Sequence, residues 1–124
     1  MKITKVFLGA MVLSLAIQCG SPKSVTDTQE TKVEKTIKSQ VEEGAFIVDV
    51  RTPIEFRSGS FKGAVNIPLN QLESRLEEFK GKQNIIVFCR SGNRSGKAKN
   101  ILEQNGFTNV TNGINQKHME EKTK

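Results

Sequence analysis

The sequence contains no Trp, no Tyr, one His, two Cys and three Pro in 124 residues, and each scarcity closes a route. The one His, His118, sits in a charged C-terminal stretch, and no second Cys lies near either of the two present. No metal-ligand spacing can be drawn from such a set, so a metal centre is not expected. The absence of a C-x-x-C pair removes a dithiol oxidoreductase, and no cofactor-binding motif is present. Basic residues are interspersed with Glu rather than run together, and no aromatic residues interleave with them, so nucleic acid is not indicated as a partner. No internal repeat is visible. With seven Phe as the only aromatics, the core must be aliphatic and Phe.

What is present begins with an export-type N-terminus. Lys2 and Lys5 form a short positive region, followed by the apolar run Val6–Ile17, which has signal-peptide length and is too short for an ordinary transmembrane helix. Gln18 and then Cys19-Gly20-Ser21 follow. Residues 1–19 resemble a bacterial lipoprotein leader, in which Cys19 becomes the lipidated first residue of the mature chain. The match departs from the usual pattern at Ile17 and Gln18, where small residues are customary. An ordinary cleaved export signal and an uncleaved anchor are the alternatives, and all three place the domain outside the cytoplasm, periplasmic or at the cell surface. The formal net charge of +6 falls to about +4 once Lys2 and Lys5 leave with the leader, too little to choose between anionic substrates and anionic lipid.

Residues 20–31 are small and polar, lack the apolar surface to fold, and read as a flexible tether. The remaining chain suits one small domain of roughly a hundred residues with a single modest core. Val33, Ile37 and Val41 recur at i, i+4, i+8 and predict an amphipathic helix over about 30–43, closed by Gly44. Phe46–Val50 is an apolar run of the kind found in buried parallel strands. Asp49 near its tip needs backbone donors or an Arg, with Arg51 the near choice. Thr52-Pro53 opens a short helix over 53–57. A Gly-punctuated loop leads to a short extended segment at Val65–Pro68. A helix is predicted from Leu69 to Phe79, capped by Asn70 with Glu73 three residues on, with Leu72, Leu76 and Phe79 inward. A strand follows over 84–88, a helix over about 95–104 burying Ala98, Ile101 and Leu102, and a last strand over 107–110. Residues 116–124 read as a polar, frayed C-terminal tail. Strands alternating with helices give an α/β domain, single, with a central mostly parallel β-sheet flanked by helices.

The stretch with chemistry is Ile85–Ala98, where an apolar run ends in Cys89 and is followed by Arg90-Ser91-Gly92-Asn93-Arg94-Ser95 and a helix. Ligands of α/β sheets bind at the carboxyl ends of strands, and helix N-termini favour anions. A thiol placed there, beside two Arg, has its thiolate stabilised, whereas inert buried Cys lack electropositive surroundings. The competing reading is a buried strand-end Cys followed by a polar turn. If Cys19 carries lipid, Cys89 has no intramolecular disulfide partner, and a lone thiol in an oxidising compartment points to reactivity.

Three motifs in order, Asp49-Val50-Arg51-Thr52-Pro53-Ile54-Glu55-Phe56, Gly63-Ala64-Val65-Asn66-Ile67-Pro68 and Ile86–Ser95, resemble those of a single-domain rhodanese, with the domain spanning 32–115. The resemblance implies a rhodanese-like fold and sulfurtransferase chemistry of the thiosulfate:cyanide type. Its Cys takes sulfane sulfur from a donor such as thiosulfate and passes it to a thiophilic acceptor, cyanide or a thiol, through a persulfide. By position, Cys89 is implied as the catalytic nucleophile and Arg90, Ser91, Gly92, Asn93 and Arg94 as the substrate-binding cradle. Asp49, Arg51 and Ser95 are implied as structural support of the site, and Glu55 as a bracing residue at a helix start. The related phosphatases of this fold separate Cys from Arg by five residues. Only four separate Cys89 from Arg94, which favours sulfur over phosphate.

The chain departs from the family at Gly59-Ser60-Phe61, where Gly-His-Ile is common, and at Asn112–Gln116, which only partly echoes a Gly-rich segment and lacks the aromatic that follows it. Two function classes are open at this point: an exported, lipid-anchored sulfurtransferase, and a non-catalytic surface-tethered module that uses Cys89 as sulfur carrier, redox sensor or binding group.

Overall fold

Four strands carry the site: β1 (Phe46–Asp49), β2 (Val65–Asn66), β3 (Ile85–Cys89) and β4 (Val110–Asn115). The computed structural model describes residues 34–124. Cys19, the leader and the tether lie outside the described residues. All pairings are parallel in the order β2-β1-β3-β4, with Phe46 opposite Ile85 and Asp49 opposite Phe88. Every residue of β3 is buried, as a parallel sheet covered on both faces requires.

Strand alternation divides the core into two. Val48, Ile85, Val87 and Cys89 face one side, where Leu72, Phe79, Ala98 and Leu102 cover them. Ile47, Ile86 and Phe88 face the other, with Met119, Ile37 and Val41 packed on them. Helices α1 (Ile37–Glu42) and α4 (Gln116–Lys122) therefore cover the second face, and α3 (Asn93–Gln104) the first. Each such aliphatic side chain contributes about 1.5–3 kcal/mol on full burial. The connection leaving β1 runs through α2 (Pro53–Arg57) to β2 on one side, while that leaving β3 runs through α3 to β4 on the other. The two paths diverge at the carboxyl ends of β1 and β3, and that divergence is where open α/β sheets bind ligands.

Several elements differ from the sequence expectation. Among the described residues the first helix starts after Thr36, whose hydroxyl caps it by accepting from Ser39 N–H, and the expected part over 30–33, with Val33, lies outside them. The segment 69–79 is not an α-helix but two 3-10 stretches, Leu69–Gln71 and Glu73–Phe79, broken at Arg75 (φ −122°). Its start is tied to the sheet by Leu69 N–H donating to Val50 O, and Pro68, not Asn70, precedes the first turn. Leu72 and Phe79 are nonetheless buried. The third helix begins at Asn93, two residues early, and Ile101 is only half-buried. The last strand runs over 110–115 rather than 107–110, because Phe107 leaves the sheet line to pack edge-on against Phe79 at 6.0 Å.

The expected frayed tail is instead α4, capped by Asn115, whose carboxamide oxygen accepts from His118 N–H. Its Met119 is fully buried against Ile86 and Gly113. Truncation of Met119 leaves a cavity under β3, so Met119→Ala is expected to lower unfolding free energy by about 2–5 kcal/mol in a urea titration. A frayed tail would leave the midpoint unmoved.

Candidate active site

Helix α3 starts without a side-chain cap of its own: its N-cap is Gly92. The first-turn N–H groups of any α-helix have no partner within the helix. Here two donors of that turn converge on one sulfur. Gly92 N–H donates to Cys89 Sγ at 3.1 Å and Ser95 N–H at 3.4 Å, with Ser95 Oγ also 3.4 Å away. The thiol at the end of β3 thus caps the helix that follows it. Gly92 reaches this arrangement with φ +91°, a left-handed conformation that side chains disfavour, and a Cβ there would meet Ile114 Cγ2 at 3.1 Å.

Cys89 is buried. Burial pushes its thiol up, but the Ser95 hydroxyl and the N–H groups of Ser95, Ser91 and Gly92 outweigh it and hold the thiol below its usual value. The helix dipole acts in the same direction.

The two cradle arginines have different environments. Arg94 donates to Glu55 through Nη1 at 2.8 Å and Nη2 at 3.0 Å, a bidentate pair. Glu55 also accepts from Thr52 N–H at 2.9 Å, while Thr52 Oγ1 accepts from Glu55 N–H, completing a capping box at α2. The Arg94 guanidinium and the Thr52 donors pull the Glu55 carboxyl down to about 2. The sequence expectation of a bracing Glu55 at a helix start matches this geometry. Arg90 is exposed, and among the described residues it makes no ion pair.

Asp49 and Arg51 stand at the tip of β1. Asp49 is fully buried and accepts from Arg51 N–H and Nε at 2.9 Å, Arg51 Nη2 at 2.6 Å and Ser60 Oγ at 2.8 Å. Arg51 Nη2 also donates to Gly59 O at 2.7 Å. The unusual Gly59-Ser60-Phe61 thereby supplies a donor and an acceptor to this pair, and Phe61 packs into the second core. A buried carboxylate needs such saturation, since breaking a buried pair costs about 3–5 kcal/mol. Beside Arg94 a pocket of about 330 Å³ is lined by Val50, Thr52, Pro68, Leu69, Asn70 and Arg94.

Two participants escaped the sequence reading. Asn112 on β4 touches both Gly92 and Ser95. The link from Glu55 to Arg94 joins residues 39 apart in sequence. Asn112 lies in a strand of mixed burial beside the polar Thr111 and Asn115, so no local signal singles it out beforehand.

The rhodanese-like domain family matches residues 32–115. Over 68 residues the chain is 41% identical to YqhL of Bacillus subtilis (strain 168), covering 55% of this chain and 54% of that protein. It is 37% identical over 67 residues to thiosulfate sulfurtransferase PspE of Escherichia coli (strain K12), covering 52% and 64% respectively. These matches span between half and two thirds of the curated relatives. The fold superimposes on the human single-domain sulfurtransferase TSTD1 with a TM-score of 0.59 at 29% identity, covering 68% of this chain and 90% of that one.

Because the Glu55 carboxyl lies near 2 in the folded protein and about 4.3 when unfolded, its contribution is present above that unfolded value and lost as pH falls toward 2. Glu55→Gln is therefore expected to cost about 1 kcal/mol at neutral pH, and to lose less stability than wild type between about pH 4.5 and 2. Urea titrations across that range would show it; equal acid sensitivity in the two proteins would mean the pair contributes nothing.

Proposed function

Since the chain belongs to the family of rhodanese-like domains, we propose that it is an exported sulfurtransferase in which Cys89 accepts sulfane sulfur as a persulfide. The observation that carries this reading is the convergence of α3 first-turn donors on the Cys89 sulfur, a geometry that favours negative charge on that atom.

In the first step the Cys89 thiolate attacks the outer sulfur of thiosulfate. The new S–S bond takes the sulfane sulfur, the bond to the sulfonate sulfur breaks, and sulfite leaves with that electron pair. The persulfide retains one negative charge within reach of the same N–H donors. A cyanide or thiolate acceptor then attacks the outer sulfur, forming thiocyanate or a new persulfide and returning the Cys89 thiolate. No net oxidant, metal or proton donor enters this balance.

Arg90 is the cation we assign to the donor, because Arg94 is engaged by Glu55. Asn93, like Arg90, is exposed at the loop surface, and Ser91 Oγ accepts from Asn93 N–H at 3.4 Å. Arg94 shapes the loop through its pair, while Asp49, Arg51 and Ser95 support it. For location we propose that residues 1–19 direct export and that lipid on Cys19 holds the domain at a membrane surface through the 20–31 tether, in the periplasm or at the cell surface.

Full-length protein treated with thiosulfate is expected to gain one sulfur atom on the Cys89 peptide by mass spectrometry, and to form thiocyanate when cyanide is added. Cys89→Ser should do neither. Sulfur uptake without thiocyanate would make the protein a carrier rather than a cyanide-type transferase, and no uptake from any sulfane donor would end the sulfurtransferase reading. Independently, Cys19→Ala is expected to shift the protein from the detergent to the aqueous phase in a partitioning assay; unchanged partitioning would remove the lipid anchor.

A further inference from the structure

Two residues, Gly92 and Ser95, donate N–H groups to the Cys89 sulfur, and a single side chain from another strand bonds to both residues. Asn112 Nδ2 donates to Gly92 O at 3.3 Å, and Ser95 Oγ donates to Asn112 Oδ1 at 2.7 Å. Ile114 N–H donates to the same Oδ1 at 2.9 Å. A backbone N–H can only donate, so this bond fixes which end of the amide is oxygen.

The strand is shaped for this contact. Val87 pairs with Asn112 but Phe88 pairs with Ile114, so Gly113 is an inserted residue in β4. Such bulges re-aim neighbouring side chains next to active sites. A Cβ on Gly113 would come 2.5 Å from Met119 Sδ and 3.0 Å from Ile86 Cγ2. Ile114 then takes φ +67°, a left-handed position that a β-branched residue rarely occupies. The bulge thus has a backbone cost, and its product is the Asn112 carboxamide seated against the cradle.

We propose that Asn112 is the positioning residue of the Cys89 cradle, holding Gly92 through its carbonyl and Ser95 through its hydroxyl so that the N–H groups of both residues meet the sulfur. This rests on the reading of Cys89 as the reactive thiol. Ser95 has one hydroxyl proton and two acceptors in reach, Asn112 Oδ1 and Cys89 Sγ. With a neutral thiol, S–H donates to Ser95 Oγ, which donates to Asn112. With a thiolate or persulfide the hydroxyl turns to the sulfur, Asn112 Oδ1 keeps its Ile114 N–H, and in that state Asn112 holds the cradle through Gly92 O. Asn112 therefore tolerates both charge states without a stranded oxygen.

The charged groups around Cys89 are Arg90 and Arg94 on its own loop and helix, Glu55 on α2 bound to Arg94, and the Asp49–Arg51 pair at the end of β1. β4 brings Asn112 and Asn115 to this end of the sheet, both neutral. A charge introduced at 112 would therefore be new to that side.

The test is the rate of Cys89 alkylation by iodoacetamide across pH in the full-length chain, read on the Cys89 peptide so that Cys19 does not contribute. Asn112→Ala is expected to raise the midpoint by about one pH unit, a tenfold slower reaction below it, with the wild-type rate regained at alkaline pH. Asn112→Asp, close in shape, should raise it further, because it loses the donor to Gly92 and adds a carboxylate. If Asn112→Ala fails to fold, Asn112→Asp carries the test alone. Thr111→Ala, on the same strand but bonded to Gln40, should leave the midpoint unchanged. Midpoints equal to wild type in the folded Asn112 variants, or a rate deficit that persists at every pH, would overturn the proposal. Alkylation needs no sulfur donor, so unchanged midpoints with intact thiosulfate loading sink this inference alone. Failure of wild-type loading sinks the sulfurtransferase reading alone.

Discussion

The structure depends on one interaction, the donation of the first-turn N–H groups of α3 to the Cys89 sulfur. A helix N-terminus needs acceptors, and an ionised thiol needs donors; here each satisfies the other. For that to happen the strand must end at the residue where the helix begins to turn, leaving only Arg90-Ser91-Gly92 between β3 and α3. A loop so short forces Gly92 into the left-handed region. It also leaves no room for a conventional Ser, Thr or Asp cap, whose side chain would compete with the thiol for the same N–H groups.

The surroundings can be understood as what keeps so tight a loop in place. From one side Glu55 takes Arg94 and ties the first turn of α3 to the start of α2. From the other, Asn112 ties Gly92 and Ser95 to β4. Behind α2, the saturated Asp49–Arg51 pair fixes the end of β1 and the loop through Gly59 and Ser60. The Cys89 loop is therefore braced from α2 and β4 at once. Arg94 is paired with Glu55 in this arrangement, whereas Arg90 is exposed.

Local signals made half of this readable in advance. Thr52-Pro53 with Glu55 marks a helix start by chemistry confined to four residues, and the structure has that helix at 53–57. The Cys loop and β1 were equally plain, because an apolar run ending in a polar turn needs no distant partner. Two of the misreadings share a cause, a contact remote in sequence. Phe107 looks like strand but packs on Phe79. Residues 69–79 have the stripe of an α-helix, yet the tie from Leu69 to Val50 and the break at Arg75 give 3-10 turns. In α4 only Met119 is fully buried, so no periodic stripe marks the helix. Asn112 was invisible as a functional residue because its role exists only once β4 lies beside β3.

The central claim is that the α3 N-terminus holds negative charge on Cys89, and the ionisation of that thiol measures it directly. The ultraviolet absorbance of the thiolate, followed across pH as the difference between wild type and Cys89→Ser, should show a midpoint below the value of about 8.5 for a free thiol. A midpoint at or above that value would mean that burial dominates and that the geometry does not stabilise the anion the proposed chemistry requires.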